Sequence, residues 1–189
     1  MTGFGFLWKG YLLSLNLLPA LLNAALTGDL NTDFVNVYNT AFKNIWLADD
    51  DVDDQEIFIE VIEQILPSVP VSIFSNGDAL LAAFEAGKNP DILFLDINMP
   101  CRDGLDCLKQ IRLNTNNEKL PVIIFSSSVQ PKHINDSYTL GASLYYKKPS
   151  SFNELIQGLS NLLGMDWKDP YTITKAHYIN HQFIPYSFQ

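Results

Sequence analysis

The chain has 189 residues, 47% of them hydrophobic, which suffices for one domain with extensions and a sizeable core but leaves little room for a second domain. The net charge of −9 argues against a nucleic-acid-binding surface, because phosphate contacts need clustered Lys and Arg. Two cysteines, Cys101 and Cys107, have neither zinc-knuckle nor redox-pair spacing, so a reduced, cytoplasmic chain is the simplest interpretation. Six acids lie between residues 49 and 56, either as a solvated helix start or as part of a cation site.

Composition divides the chain into three zones. Residues 1–42 form an apolar extension and linker, residues 43–165 alternate strand-like and helix-like patterns, and residues 166–189 form a tail. The segment Phe4–Leu26 is apolar enough to suggest a membrane segment, but polar residues interrupt it and no basic region of a signal peptide precedes it. We therefore favour an unusual extension or a mis-assigned start, and membrane contact through residues 4–26 stays open as the less favoured alternative.

Five short, mainly apolar runs in the middle zone predict buried parallel strands, because they end in acids, in Ser or in a Lys-Pro pair. The runs are Ile45–Ala48, Val71–Phe74, Ile92–Leu95, Val122–Phe125 and Leu144–Tyr146. Stretches of helical character follow them, starting near Asp51 or Asp53, after Asn76, after Asp103-Gly104, after Pro131, and after Ser150 or Ser151. Five successive βα units predict an α/β fold with a doubly wound, flavodoxin-like five-stranded parallel sheet, (βα)5.

The ends of the predicted strands carry polar residues of complementary chemistry. Asp49-Asp50 follow the first strand, Asp96 the third, Ser126 the fourth and Lys148-Pro149 the fifth. In an open α/β sheet, ligands bind beyond the carboxyl ends of the strands, near the point where the strand order reverses. Adjacent strands lie roughly 4.8 Å apart, so the carboxylates converge if the first and third strands are neighbours.

Three carboxylates this close repel one another unless a cation neutralises them. A hard divalent ion, Mg²⁺ above all, suits oxygen ligands and keeps positions for water and phosphate oxygens. Lys148 supplies a second positive charge, and Ser126 offers a hydroxyl to a phosphoryl oxygen. The pattern therefore predicts a site for Mg²⁺ and a phosphoryl group at this edge of the sheet.

Four segments resemble the response-regulator receiver domains of two-component signalling: IWLADDDVDD (45–54), DILFLDINMPCRDG (91–104), PVIIFSSS (121–128) and GASLYYKKPSSFNEL (141–155). The resemblance covers about residues 43–165. It implies that Asp96 is the phosphoacceptor. It also implies that Asp49 and Asp50 hold Mg²⁺, with the backbone carbonyl of Asn98 as a further ligand.

The same resemblance assigns the residues that respond to phosphorylation. Ser126, where the family more often has Thr, is the switch hydroxyl. Lys148 pairs with the phosphate rather than Lys147, because only Lys148 directly precedes the proline. Pro149 is expected to follow a cis bond that aims the lysine. Tyr145 matches the aromatic residue whose rotation reports phosphorylation.

The resemblance implies a stand-alone response regulator that is not an enzyme. Asp96 would accept a phosphoryl group from a sensor histidine kinase or a histidine phosphotransfer protein, and a surface change would signal to a downstream protein partner. The tail from Asp166 is too short for an output domain, so we expect output by protein contact or by passing the phosphoryl group along a relay. This aromatic-rich tail either folds back on the domain or frays.

Two other functions compete with this interpretation. An aspartyl-phosphate enzyme similar to haloacid-dehalogenase-type phosphatases would need a second acid two residues after the nucleophile, where this chain has Asn98. A receiver-like module could also bind partners without phosphorylation. We favour the phosphorylated regulator, because every residue that the resemblance assigns to phosphorylation is present.

Overall fold

Five strands form one parallel sheet, and their bounds are β1 Ile45–Ala48, β2 Val71–Phe74, β3 Ile92–Leu95, β4 Val122–Ser126 and β5 Leu144–Lys147. The computed structural model describes residues 42–187, so the predicted extension and its Phe4–Leu26 segment lie outside the described residues. The sheet has the order β2-β1-β3-β4-β5, which confirms the predicted flavodoxin-like α/β fold.

A helix follows each strand, and a sixth lies near the C-terminus: α1 Val52–Ile65, α2 Gly77–Glu85, α3 Gly104–Leu113, α4 Pro131–Thr139, α5 Phe152–Leu163 and α6 Pro170–Ala176. Asp51 caps α1 by accepting hydrogen bonds from the backbone N–H groups of Asp53 and Asp54. Ser151 caps α5 through the N–H of Glu154. Within residues 42–187, no helix is both long and apolar enough to cross a bilayer.

The core lies on both faces of the sheet. Every residue of β1, β3 and β4 is buried, because helices cover these central strands from both sides. On one face, Phe58 of α1 packs against Phe94 and Phe125, with ring centroids 4.9 and 5.8 Å apart. On the other face, Trp46 belongs to an apolar cluster that includes Leu108 of α3. The sheet is thus a rigid support for the residues at its edge.

The C-terminal segment folds back onto the last strand, which decides between the two alternatives for the tail. After α6 it forms a hairpin of β6 Tyr178–Ile179 and β7 Gln182–Phe183. Tyr186 then makes a parallel bridge with Tyr146 and donates its backbone N–H to the Tyr145 carbonyl at 2.6 Å. Tyr186 therefore adds one residue of parallel pairing alongside β5.

Aromatic side chains hold this segment in place. Phe183 stacks on Tyr138 of α4, with ring centroids 4.4 Å apart and planes 13° from parallel. The Tyr138 hydroxyl accepts the Tyr145 N–H at 3.0 Å and donates to the Ile184 carbonyl at 3.1 Å. Burial raises the pKa of Tyr138 well above its ordinary value, so the hydroxyl keeps the proton that it donates. We call this region the aromatic face, comprising Tyr138, Tyr145, Tyr146, Phe183 and Tyr186.

Candidate functional site

The strand order brings the polar ends of β1 and β3 side by side. Asp96 donates its backbone N–H to the Ala48 carbonyl at 2.9 Å, so the pairing of the two strands continues one residue beyond β3. Asp49 likewise donates its backbone N–H to the Phe74 carbonyl of β2 at 3.0 Å. The strand order reverses between β1 and β3, which is where ligands bind in open α/β sheets.

Three carboxylates meet at this point, as their positions after the strands led us to expect. One oxygen from each of Asp49, Asp50 and Asp96 lies within 4.8 Å of the others. Asp49 and Asp96 are 0% and 5% exposed, whereas Asp50 lies at the surface. Burial raises the pKa of Asp49 above its ordinary value, although the hydrogen bond and charge of Lys148 oppose the shift.

The donor set fits a hard divalent cation. Asp96 Oδ1 is buried and has no hydrogen-bond partner within the described part of the chain. A buried carboxylate oxygen without a partner is costly, so a ligand that compensates it stabilises the protein. Carboxylate oxygens are the ligands that Mg²⁺ and similar ions prefer. The Asn98 backbone carbonyl stays a predicted further ligand, two residues after Asp96 in the chain.

Lys148 brings a positive charge to the carboxylates from the end of β5. Its Nζ atom lies 2.7 Å from Asp49 Oδ2, 2.7 Å from Asp54 Oδ2 and 4.0 Å from Asp96 Oδ2. Burial lowers the pKa of Lys148, but its hydrogen bonds to Asp49 and Asp54 and the charge of Asp96 outweigh burial, and the net pKa is raised. We call Asp49, Asp50, Asp96 and Lys148 the acidic rim.

Asp54 is a member of the site that the sequence analysis missed. It lies in the first turn of α1, and its carboxylate bonds Lys148 across 94 positions of the chain. The acidic run at residues 49–56 was the available signal. The run alone does not tell which of its acids meets the lysine, because that depends on how α1 packs beside the end of β5.

Ser126 ends β4 and is fully buried. Its Oγ atom accepts the backbone N–H of Ser128 at 3.4 Å, which links the hydroxyl to the loop after β4. Its carbonyl accepts the N–H of Lys148 at 3.0 Å, which joins the ends of β4 and β5. The predicted switch hydroxyl and the predicted phosphate-pairing lysine therefore lie at the ends of two adjacent strands.

Tyr145 connects the loop after β4 with the aromatic face. Its ring is fully buried, and its hydroxyl donates to the Ser128 carbonyl at 2.9 Å. Its backbone N–H donates to the Tyr138 hydroxyl, and its carbonyl accepts the backbone N–H of Tyr186. A displacement of the Ser128 carbonyl would therefore act directly on the Tyr145 side chain.

The predicted cis bond before Pro149 is wrong. Within residues 42–187 there is no cis peptide bond, so the Lys148–Pro149 bond is trans. Trans is the lower-energy isomer of such bonds by about 0.5–1 kcal/mol, and Lys148 reaches the carboxylates from the trans backbone. Lys147, the alternative to Lys148, is exposed on β5 and pairs in register with Ser126.

Gly104 allows the start of α3 to approach the end of β3. A Cβ atom at this position would overlap the backbone carbonyl of Asp96. Asp103 caps the helix by accepting the N–H of Asp106 at 2.8 Å. In the same loop, Cys101 has φ 66°, a conformation uncommon for a residue with a Cβ atom. Close packing at Gly104 and the helix cap at Asp103 thus fix the backbone path of the segment that follows Asp96.

The profile of the response regulator receiver domain family matches residues 45–160, more than half of the chain. The chain therefore belongs to this family, and the matched residues form the receiver domain of a response regulator in two-component signalling.

Relatives with the same domain include regulators and an enzyme. Response regulator Rcp1 of Synechocystis is 25% identical over 143 residues, covering 71% of this chain and 95% of Rcp1. The DNA-binding transcriptional regulator NtrC of Salmonella typhimurium is 36% identical over 114 residues, covering 59% of this chain and 23% of NtrC. A protein-glutamate methylesterase/protein-glutamine glutaminase of Trichodesmium erythraeum is 39% identical over 106 residues, covering 53% of this chain and 29% of that protein. The chain thus spans about a quarter of the length of the last two.

Solved structures of receiver proteins superpose on the fold. The phosphorylated cyanobacterial phytochrome response regulator RcpA gives a TM-score of 0.60 at 25% identity, covering 65% of this chain and 91% of RcpA. The Mn²⁺-bound form of Rcp1 gives 0.58 at 25% identity, covering 64% of this chain and 91% of Rcp1. One of these similar proteins is phosphorylated and the other binds a divalent cation.

Proposed function

We propose that the chain is a single-domain response regulator that accepts a phosphoryl group on Asp96 from a sensor histidine kinase or a histidine phosphotransfer protein, with Mg²⁺ as cofactor. The observation that carries the proposal is the buried Oδ1 of Asp96, which has no hydrogen-bond partner among residues 42–187 and lies beside the Asp49 and Asp50 carboxylates and the Lys148 ammonium. The alignment over 95% of Rcp1 supports the stand-alone type, and the Mn²⁺-bound form of Rcp1 supports a divalent cation.

The chemistry requires charge neutralisation rather than acid–base activation. A carboxylate oxygen of Asp96 attacks the phosphorus in line while the P–N bond to the donor imidazole breaks, and the imidazole leaves with the bonding electron pair. Both Asp96 and the phosphoryl group are anionic, so positive charge beside them lowers the barrier. Lys148 supplies one such charge, 4.0 Å from Asp96 Oδ2. A divalent cation held by Asp49, Asp50 and Asp96 would supply further positive charge to the phosphoryl oxygens.

The response to phosphorylation would begin at Ser126. A phosphoryl group offers three strong acceptor oxygens, whereas the present bond between Ser126 Oγ and the Ser128 N–H is long at 3.4 Å. The Ser126 hydroxyl would donate its proton to a phosphoryl oxygen, and a movement of Oγ towards that oxygen would shift the Ser128 N–H that Oγ accepts, and with it the loop after β4. Tyr145 would follow, because its hydroxyl is bonded to the Ser128 carbonyl.

The output surface in this proposal is α4, β5 and the C-terminal segment. The backbone of Tyr145 bonds to Tyr138 and to Tyr186 on the aromatic face. A movement of the Tyr145 ring would therefore reach this surface through Tyr145 itself. We propose a protein as the downstream partner, since the net charge of −9 disfavours nucleic acid. We also place the reaction in the cytoplasm, where kinases and Mg²⁺ are available.

Intact-mass spectrometry tests the phosphoacceptor. Incubation of the protein with acetyl phosphate and Mg²⁺ should add the mass of one phosphoryl group, and Asp96→Asn should abolish this addition. The matched control is Asp106→Asn, an exposed acid on α3, which should label as the unaltered protein does. Undiminished labelling of Asp96→Asn would show that another residue is the acceptor.

A further inference from the structure

Lys148 has two close carboxylate partners, and they differ in burial. Asp49 and Asp54 are each 2.7 Å from the Lys148 Nζ atom, whereas Asp96 is 4.0 Å away. The side chain of Asp49 is 0% exposed and that of Asp54 is 40% exposed. The ammonium is therefore held between an inner acid that belongs to the acidic rim and an outer acid from the first turn of α1.

The ammonium and a divalent cation need the same inner carboxylate. Asp49 belongs both to the group of three acids that can surround a cation and to the ion pair with Lys148. Two positive charges on one carboxylate repel each other, so cation binding must push the ammonium away from Asp49. Asp54 is the acid that can then hold the ammonium, because it already lies at hydrogen-bond distance from it.

We propose that Asp54 is a positioning residue that draws the Lys148 ammonium away from the carboxylates of the acidic rim and so leaves Asp49 and Asp96 available to a divalent cation. This inference rests on the proposed function, because it takes the acidic rim as the cation site. Among residues 42–187, the carboxylates that remain to pair with the ammonium without Asp54 are those of the rim, where the ammonium competes with the cation.

A simpler role for Asp54 would be general electrostatics at the start of α1. Acids in the first turn of a helix stabilise it, and Asp53 in the same turn shares that role. Within residues 42–187, however, the Asp53 side chain forms no ion pair, whereas Asp54 bonds Lys148. Asp53 is therefore the matched control, with the same charge and the same turn but without the lysine.

Isothermal titration calorimetry of the full chain with MgCl₂ provides the first test. Asp54→Asn should weaken Mg²⁺ binding by about two- to fivefold, the effect of one partly exposed ion pair. Asp53→Asn should change it less, and Asp54→Glu should retain most of the affinity because a longer carboxylate can still reach the ammonium. Equal effects of Asp54→Asn and Asp53→Asn would overturn the inference.

A double-mutant cycle with Lys148→Met separates positioning from simple charge. Lys148→Met should tighten Mg²⁺ binding, because the competing ammonium is gone, and Asp54→Asn should then have no more effect than Asp53→Asn. If Asp54→Asn weakens binding equally with and without Lys148, Asp54 acts only through its charge and the inference is wrong. Absence of Mg²⁺ binding by the unaltered protein would instead contradict the proposed cation site itself.

Discussion

The acidic rim and the aromatic face both involve β5, yet they differ in what holds them together. In the rim, three carboxylates lie within 4.8 Å and one buried oxygen has no partner among the described residues. In the aromatic face, Phe183 and Tyr138 stack at 4.4 Å, and the hydroxyl of Tyr138 both donates and accepts a hydrogen bond. The rim therefore has negative charge that a ligand can compensate. In the aromatic face, the ring contacts and hydrogen bonds come from the chain itself.

This difference predicts opposite responses to truncation. Removing the exposed Asp50 carboxylate from the rim should stabilise the cation-free protein, because like charges repel at short distance. Removing a ring from the aromatic face should destabilise it, because packed apolar area is lost. Tyr145 of the face bonds the loop after β4 through its hydroxyl, and Ser126 at the start of that loop accepts the N–H of Lys148 in the rim, so this path joins the two regions.

The largest effect is expected at Tyr145. Tyr145→Ala removes a fully buried ring and should lower the free energy of unfolding by about 3–5 kcal/mol. Tyr145→Phe removes only the hydroxyl bond to Ser128 and should cost about 1 kcal/mol. Denaturant titration measures both, and labelling of Asp96 should persist in Tyr145→Phe.

Tyr145→Phe also tests whether the two regions communicate. In the unaltered protein, phosphorylation should change amide hydrogen exchange both at Ser128 and at Tyr186, whose N–H bonds the Tyr145 carbonyl. The change at Tyr186 should shrink in the variant. An unchanged response at Tyr186 would mean that the signal reaches the surface by another route.

A smaller loss is expected at Phe183 in the aromatic face. Phe183→Ala removes a partly buried ring that stacks on Tyr138, so the free energy of unfolding should fall by about 1–3 kcal/mol. Ile179→Ala is the control, because Ile179 lies in the same hairpin but is 48% exposed, and it should cost no more than about 0.5 kcal/mol. Equal losses in the two variants would show that the stack contributes little.

The smallest effect, of opposite sign, is expected at Asp50 in the rim. Asp50→Ala removes one of three mutually repelling carboxylates, and because Asp50 is exposed the cation-free protein should gain only about 0.5 kcal/mol. The same change should weaken Mg²⁺ binding. Thermal unfolding with and without Mg²⁺ measures both effects, and a loss of stability without Mg²⁺ would contradict the repulsion on which the comparison rests.

The sheet was predictable because its strands are short apolar runs with clear ends. All five strands begin where the sequence predicts, and the acids, the hydroxyl and Lys148 lie at the expected edge. The ion pair of Asp54 was not predictable, since it joins residues 94 positions apart through helix packing. The course of the tail was also open, because aromatic residues without a helical or alternating period do not specify a partner. Their partners, such as Tyr138 for Phe183, appear only once the sheet and α4 are built.

The bridge between Tyr146 and Tyr186 also bears on self-association. β5 is the last strand of the sheet, and such an outer strand offers unpaired backbone groups to strands of other molecules. The Tyr186 N–H bonds to the Tyr145 carbonyl, and the preceding Pro185 cannot extend the ladder because proline has no N–H to donate. The tail thus protects this margin of the sheet against intermolecular β-pairing, and the protein's resistance to aggregation is expected to depend on it.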